Sequence, residues 1–207
     1  MTEMAAIVDL HVIERLSARL CHELISPVAA IANGIELLSE EEPEFAREAA
    51  ALVGESVRKA SARLQFFRFA FGFGGGAMAG APPHQLAAEF FGESRIGCDY
   101  SETARALSLE WQKLGCNLLL VAAEALPRGG EALLTATAGG VEVQASGEGS
   151  GASAEIREAL SLATATADLT SRTVIAYLAG LIAQSLGCRI AVEDAPGNFR
   201  LRAAPTG

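Results

Sequence analysis

Residues 10–38 read LHVIERLSARLCHELISPVAAIANGIELL. Apolar side chains recur at Leu10, Ile13, Leu16, Leu20, Leu24, Val28, Ile31, Ile35 and Leu38. Steps of three and four keep one face of a helix apolar, so the stretch predicts a long amphipathic helix. SEEEPEF, with its acidic cluster and Pro43, breaks the pattern. Phe45, Ala49, Leu52, Ser56, Ala60, Leu64 and Phe67 then trace a second helix, and the two, over about 8–40 and 44–70, predict a helical hairpin. Two helices cannot enclose a core. Their uncovered stripes call for a partner, and a second copy completing a four-helix bundle is the simplest symmetric solution, so a homodimer is expected.

His22 lies off this stripe. With His22 at zero and about 100° per residue, the apolar stripe centres roughly 180° away. His11, Arg15, Arg19, Ser26, Ala29, Asn33, Glu36 and Glu40 share the outward face. An imidazole so placed is open to a partner. Neutral imidazole is a competent nucleophile at about pH 7, and a carboxylate on one ring nitrogen raises the reactivity of the other. Glu23 is the adjacent acid; Ser26, one turn on, can hydrogen-bond the ring or a phosphoryl group carried by it. Pro27 removes the backbone bond to the Glu23 carbonyl and is expected to bend the helix beside the ring.

Composition narrows the remaining possibilities. The net charge of −9, with only two lysines (Lys59 and Lys113), leaves no basic stripe and excludes bulk nucleic-acid binding. The positive charge is mostly arginine, which suits defined carboxylate or phosphate contacts. The N-terminus lacks a basic segment followed by an apolar run. VIAYLAGLIA, ten residues at 174–183, is about half a bilayer span, so a soluble, cytoplasmic protein is expected. Cys21, Cys98, Cys116 and Cys188 have neither metal-ligand spacing nor disulfide density and are expected to be free thiols.

FGFGGGAMAGAPP, residues 71–83, reads as a junction. It divides the chain into a hairpin over 1–72, a linker over 73–83 and a second domain over 84–207. The second domain predicts a helix at about 84–92, a strand RIGCDY, and a helix from about Leu109 to Leu126. A hairpin of ALLTATAG and VEVQASG turns through Gly139-Gly140. Helices follow near 153–163 and 171–186, and a closing pair CRIAVED and NFRLRAA turns at Pro196-Gly197-Asn198. The class is α+β, with helices layered on a sheet.

His22-Glu23-Leu24-Ile25-Ser26-Pro27 resembles the H-box of histidine-kinase phosphoacceptor hairpins: His, an acid, two residues, a small polar residue and Pro. A kinase would follow this hairpin with a Bergerat-type ATP-binding domain, and the second half has that size and order of elements. Its nucleotide motifs depart from the pattern at three places. NLLLVA, Asn117 to Ala122, puts Val121 where an asparagine would hold magnesium, a hard ion that needs oxygen. Ala145-Ser146-Gly147-Glu148-Gly149 keeps two glycines of the adenine-reading loop but not its aspartate. Only Gly180 stands where a phosphate-cradling glycine pair is expected, too late for a helix start.

The whole chain therefore resembles the dimeric histidine phosphotransferases of the ChpT type, an intact phosphoacceptor hairpin before a degenerate kinase-like α/β sandwich. The resemblance is densest in ARLCHELISPVAAIANGIELL and SARLQFFRFAFG. It implies a phosphorelay shuttle. His22 would accept phosphate from the receiver-domain aspartate of a hybrid histidine kinase and pass it to a response regulator, with Glu23 orienting the ring and Ser26 assisting. Arg19, Ile25, Ala29 and Asn33 are the expected partner-facing positions. No cofactor is expected, because the receiver would bring its own Mg²⁺ and lysine. The alternative is a non-catalytic dimeric adaptor or inhibitor of two-component proteins. The intact His-acid-polar-Pro set favours the shuttle.

Overall fold

Helix α1 (Leu10–Leu37) starts at Asp9, whose carboxylate accepts the His11 backbone N–H at 2.9 Å, and runs unbroken through Pro27. The structure is a computed structural model describing residues 9–38, 43–72, 80–92 and 94–206. Residues 39–42 of the predicted acidic break, and 73–79 of the predicted linker, lie outside the described residues. Helix α2 (Pro43–Phe71) returns antiparallel to α1 and completes the hairpin. The two helices meet closely at Gly34, where a Cβ would lie 2.6 Å from Val53 Cγ2 and 3.5 Å from the Ala49 carbonyl oxygen. Only glycine lets the backbones approach so far.

The predicted apolar stripe is split by this packing. Val12, Pro27 and Gly34 are buried, and Leu16, Leu20, Leu24 and Ile31 are half-buried. Leu10, Ile13, Val28, Ile35 and Leu38 stay between 41% and 65% exposed. One flank of the stripe packs within the chain and the other faces outward.

The end of α2 runs into the core of the second half. Phe66 stacks on Phe90 of α3 (Pro83–Phe91) at 4.5 Å between centroids and meets Phe91 edge-on at 6.0 Å. Such ring pairs add about 1 kcal/mol each beyond their burial. Helix α5 (Leu109–Glu124) clasps the same end of α2. Asn117 Nδ2 donates to the Ala70 carbonyl at 2.8 Å, and Lys113 Nζ donates to that of Gly72. These carbonyls have no partner within their own helix, and a cation is favoured at that pole of the helix dipole.

The remaining elements form one sheet with helices on one face. The strands are β1 (Ile96–Tyr100), β2 (Gly130–Thr137), β3 (Gly140–Ser146), β4 (Cys188–Ala195) and β5 (Asn198–Pro205), in the order β1-β2-β3-β5-β4. Only β1 and β2 run parallel. Alternation puts Leu134, Val143, Phe199 and Leu201 inside while Gln144, Arg200 and Arg202 face out, the pattern of a sheet covered on one side. Helices α5 and α7 (Val174–Ser185) lie on the sheet, α6 (Ala154–Leu160) packs on α7, α3 packs on β1, and a short α4 (Glu102–Arg105) sits beside β2.

The first hairpin turn lies one residue earlier than expected, and the second is one residue tighter. Thr137 pairs with Gly140, so the first turn is Ala138-Gly139. Ala195 pairs with Asn198, so the second is Pro196-Gly197, with Gly197 at φ +74°. Two-residue turns match strand twist, and the positive φ needs glycine.

Candidate functional site

His22 stands near the middle of α1 with its side chain in solvent. No hydrogen bond or ion pair reaches its imidazole among the described residues. Ile25, Ser26, Ala29 and Asn33 are exposed along the same side of the helix. Ile25 is 69% exposed, the highest value among the large apolar side chains of the described residues. Burying such a side chain is worth about 1.5–3 kcal/mol, so this face is apolar enough to reward a partner. Pro27, directly behind it, is buried against the hairpin and shows no proton to the Glu23 carbonyl.

Glu23 points elsewhere. Adjacent helical residues diverge by about 100°, so the acid next to His22 faces the second helix and the second domain. Arg19 Nη2 lies 2.9 Å from Glu23 Oε1, and Arg63 Nε of α2 lies 3.4 Å from Glu23 Oε2. Both carboxylate oxygens are thus engaged by guanidinium groups, and no hydrogen bond joins Glu23 to His22 among the described residues.

Arg19, expected on the partner-facing surface, also turns inward. Its Nη1 meets Glu124 Oε1, at the end of α5, at 2.6 Å, and its side chain is 16% exposed. The helical wheel places its Cβ outward, but a long arginine can fold back along the helix to reach a desolvated carboxylate. Arg172 Nε contacts the other Glu124 oxygen at 3.4 Å. Arg63 also lies over the Phe90 ring at 6.0 Å. The alternating row Arg172–Glu124–Arg19–Glu23–Arg63 therefore joins both hairpin helices to the second domain.

Arg63, Glu124 and Arg172 were not legible as site residues. Only the Arg19–Glu23 spacing of four carries a local signal, and it is a common one on helix surfaces. The excess of arginine over lysine was the other hint, since planar guanidinium suits paired carboxylates.

Val121, Ala145 and Gly180, the residues at the three departures from the kinase pattern, lie inside the packing. Val121 is 1% and Ala145 2% exposed, both core members, with Ala145 paired in the sheet to Ala132 and Phe199. Asn117 is fully buried and clasps the end of α2. Gly180 packs inside α7 against the Leu160 carbonyl. Among the described residues, no group of three His, Cys, Asp or Glu side chains is arranged to hold a metal, and no helix is long and apolar enough to cross a membrane. All four cysteines are free. Burial, with Asp99 and Glu131 nearby, pushes the Cys98 thiol up to about 12, and burial also raises Cys116 and Cys188. These three stay protonated and are poor nucleophiles.

Residues 82–198 match the family described as histidine phosphotransferase C-terminal domain. Protein phosphotransferase ChpT of Brucella abortus (strain 2308) is 41% identical over 118 residues, covering 56% of this chain and 56% of that protein. The chain thus spans about half the length of the curated relative it matches. A solved structure of a bacterial phosphotransferase superposes with a TM-score of 0.77 at 29% identity, over 98% of this chain and all of that one.

Proposed function

The chain belongs to the histidine phosphotransferase C-terminal domain family, and we propose that it is a histidine phosphotransferase of a bacterial phosphorelay with His22 as phosphoacceptor. One imidazole nitrogen attacks the phosphorus of a receiver's aspartyl phosphate in line. The P–O bond to the aspartate breaks, its carboxylate is released, and the phosphoryl group rests on the ring as phosphohistidine. A second receiver's aspartate attacks that phosphorus in turn, the P–N bond breaks, and the neutral imidazole returns. The donor is the receiver domain of a hybrid histidine kinase and the acceptor a response regulator. Both bring their own Mg²⁺.

The observation that carries this reading is a solvent-facing His22, without a partner among the described residues, within the exposed face of Ile25, Ser26, Ala29 and Asn33. Phosphoryl transfer depends on positioning and on neutralising spread charge more than on covalent chemistry by the protein. Glu23 holds the reactive turn through Arg19 and Arg63, and Ser26 contacts the ring or the phosphoryl group. Ile25, Ala29 and Asn33 meet the receiver.

The exposed flank of α1, with Phe45, Leu52 and Leu64 on α2, supports a homodimer through a four-helix bundle. Burial of Val121 and Ala145 as packed apolar core supports a second domain, over 84–207, that binds no ATP, so the chain is not a kinase.

The test is incubation with a phosphorylated receiver. Acid-labile label should move onto the wild type and not onto His22→Ala, whose circular dichroism should match the wild type because the lost side chain is in solvent. Equal labelling of the mutant would end this reading.

A further inference from the structure

We propose that Arg19 and Glu124 are positioning residues for transfer at His22, their ion pair fixing how far the second domain reaches along α1; the inference rests on the phosphotransfer reading above. Three features of the fold lead to it.

The second domain covers only the first half of α1. Its packed core takes Val12, Leu16 and Leu20 from this helix and nothing beyond them. Asp9 adds a bond from Thr166 Oγ1 at 2.6 Å near the helix start. Among the described residues the Arg19–Glu124 pair, at 2.6 Å, is the last ion pair from α1 to the second domain; past it only Leu20 still packs on that core, and Cys21 and His22 are exposed.

The pair is also desolvated. Arg19 and Glu124 side chains are 16% and 15% exposed, and Glu23 is 18% exposed. Exposed pairs contribute little to any structure, whereas removing one member of a buried pair leaves an uncompensated charge. The three central charges, Glu124, Arg19 and Glu23, hold one another in one arrangement at this depth, so the edge of the second domain has one place relative to the imidazole.

A second joint holds the same open end of the hairpin from the α2 side. Asn117 and Lys113 bind the last carbonyls of α2, and the aromatic rings around Phe66 pack there. Without the Arg19–Glu124 pair the second domain would stay attached at that joint and rock against α1 near His22. A small shift beside a reacting phosphoryl group costs rate rather than binding.

The experiment uses the full chain and a phosphorylated receiver, with initial rates of label transfer measured across receiver concentration. Glu124→Gln should lower the rate at saturating receiver about tenfold and move the half-saturating concentration less than about threefold. Glu124→Asp, which keeps the charge, should recover part of the loss. Arg19→Gln should be at least as slow, and the double variant no slower than Arg19→Gln alone, because both changes cut one fastening.

The control is Glu148→Gln, the same change in the surface pair with Arg128, and it should transfer at the wild-type rate. A Glu124→Gln protein matching the wild type would overturn the inference while leaving the phosphotransfer reading intact, and so would additive losses in the double variant. A loss confined to receiver affinity would overturn it too. If Glu124→Gln does not fold, Glu124→Asp carries the test, and a wild-type rate from it overturns the proposal. A wild type that takes no label overturns the phosphotransfer reading, and this inference with it.

Discussion

At the scale of single residues, the turn 19–23 serves two surfaces at once. His22 presents its ring to solvent, while Glu23, one residue on, closes a pair of ionic contacts on the other side of the helix. This division follows from helical geometry, which sends adjacent side chains apart by about 100°. Ala145 shows the opposite constraint. The resemblance to kinase domains implies a nucleotide-reading aspartate at its position, yet it lies 2% exposed within the sheet core. Ala145→Asp should therefore destabilise the protein by about 3 kcal/mol or more, read as a lower midpoint in urea unfolding, because an unpaired carboxylate would enter an apolar layer. It should not create ATP binding in calorimetry. Micromolar ATP affinity in that variant would show that the second domain keeps a working nucleotide site.

At the scale of elements, the start of α1 is fastened by a carboxylate with two duties. Asp9 caps the helix and accepts a hydrogen bond from Thr166, far along the chain. Those bonds, the Thr166 hydroxyl first and the His11 N–H second, hold its carboxyl below the ordinary value of 3.8. A carboxyl lowered in the folded state stabilises above that ordinary value and ceases to do so as pH falls through its folded value. Asp9→Ala should thus lower Tm at about pH 7, with the deficit narrowing at about pH 2. A deficit that stays constant over this range would assign the effect to packing. The capping half of this device is local, whereas Thr166 comes from a turn that sequence spacing does not connect to α1.

At the scale of the whole molecule, the exposed half of the hairpin stripe is the main unfinished surface. Val28 is 54% exposed within one chain, so Val28→Asp should leave the fold of each chain intact and prevent a second from joining. Sedimentation at about 10 μM should show a dimer for the wild type and a monomer for Val28→Asp. A wild-type monomer at that concentration would remove the four-helix bundle. Leu24, half-buried against α2, is the less discriminating position, since charge there would also damage the hairpin itself.

The sequence by itself determined the α+β class, the two hairpin helices, every strand of the sheet and the outward face of His22. Each rests on a short-range rule: apolar side chains recur with the helical or strand period, and turns demand particular residues. It also carried the family resemblance, because the His-acid-polar-Pro pattern is contained in one helical turn and a half. Only the tertiary structure decided which flank of the apolar stripe α2 would cover, that Phe66, Phe67, Phe69 and Ala70 belong to the second domain's core, and that Arg19 and Glu23 face inward to Glu124 and Arg63. Those outcomes depend on residues distant in the chain meeting at one place. A long, flexible, charged side chain goes to whichever desolvated partner packing brings near, and local periodicity does not contain that partner's address.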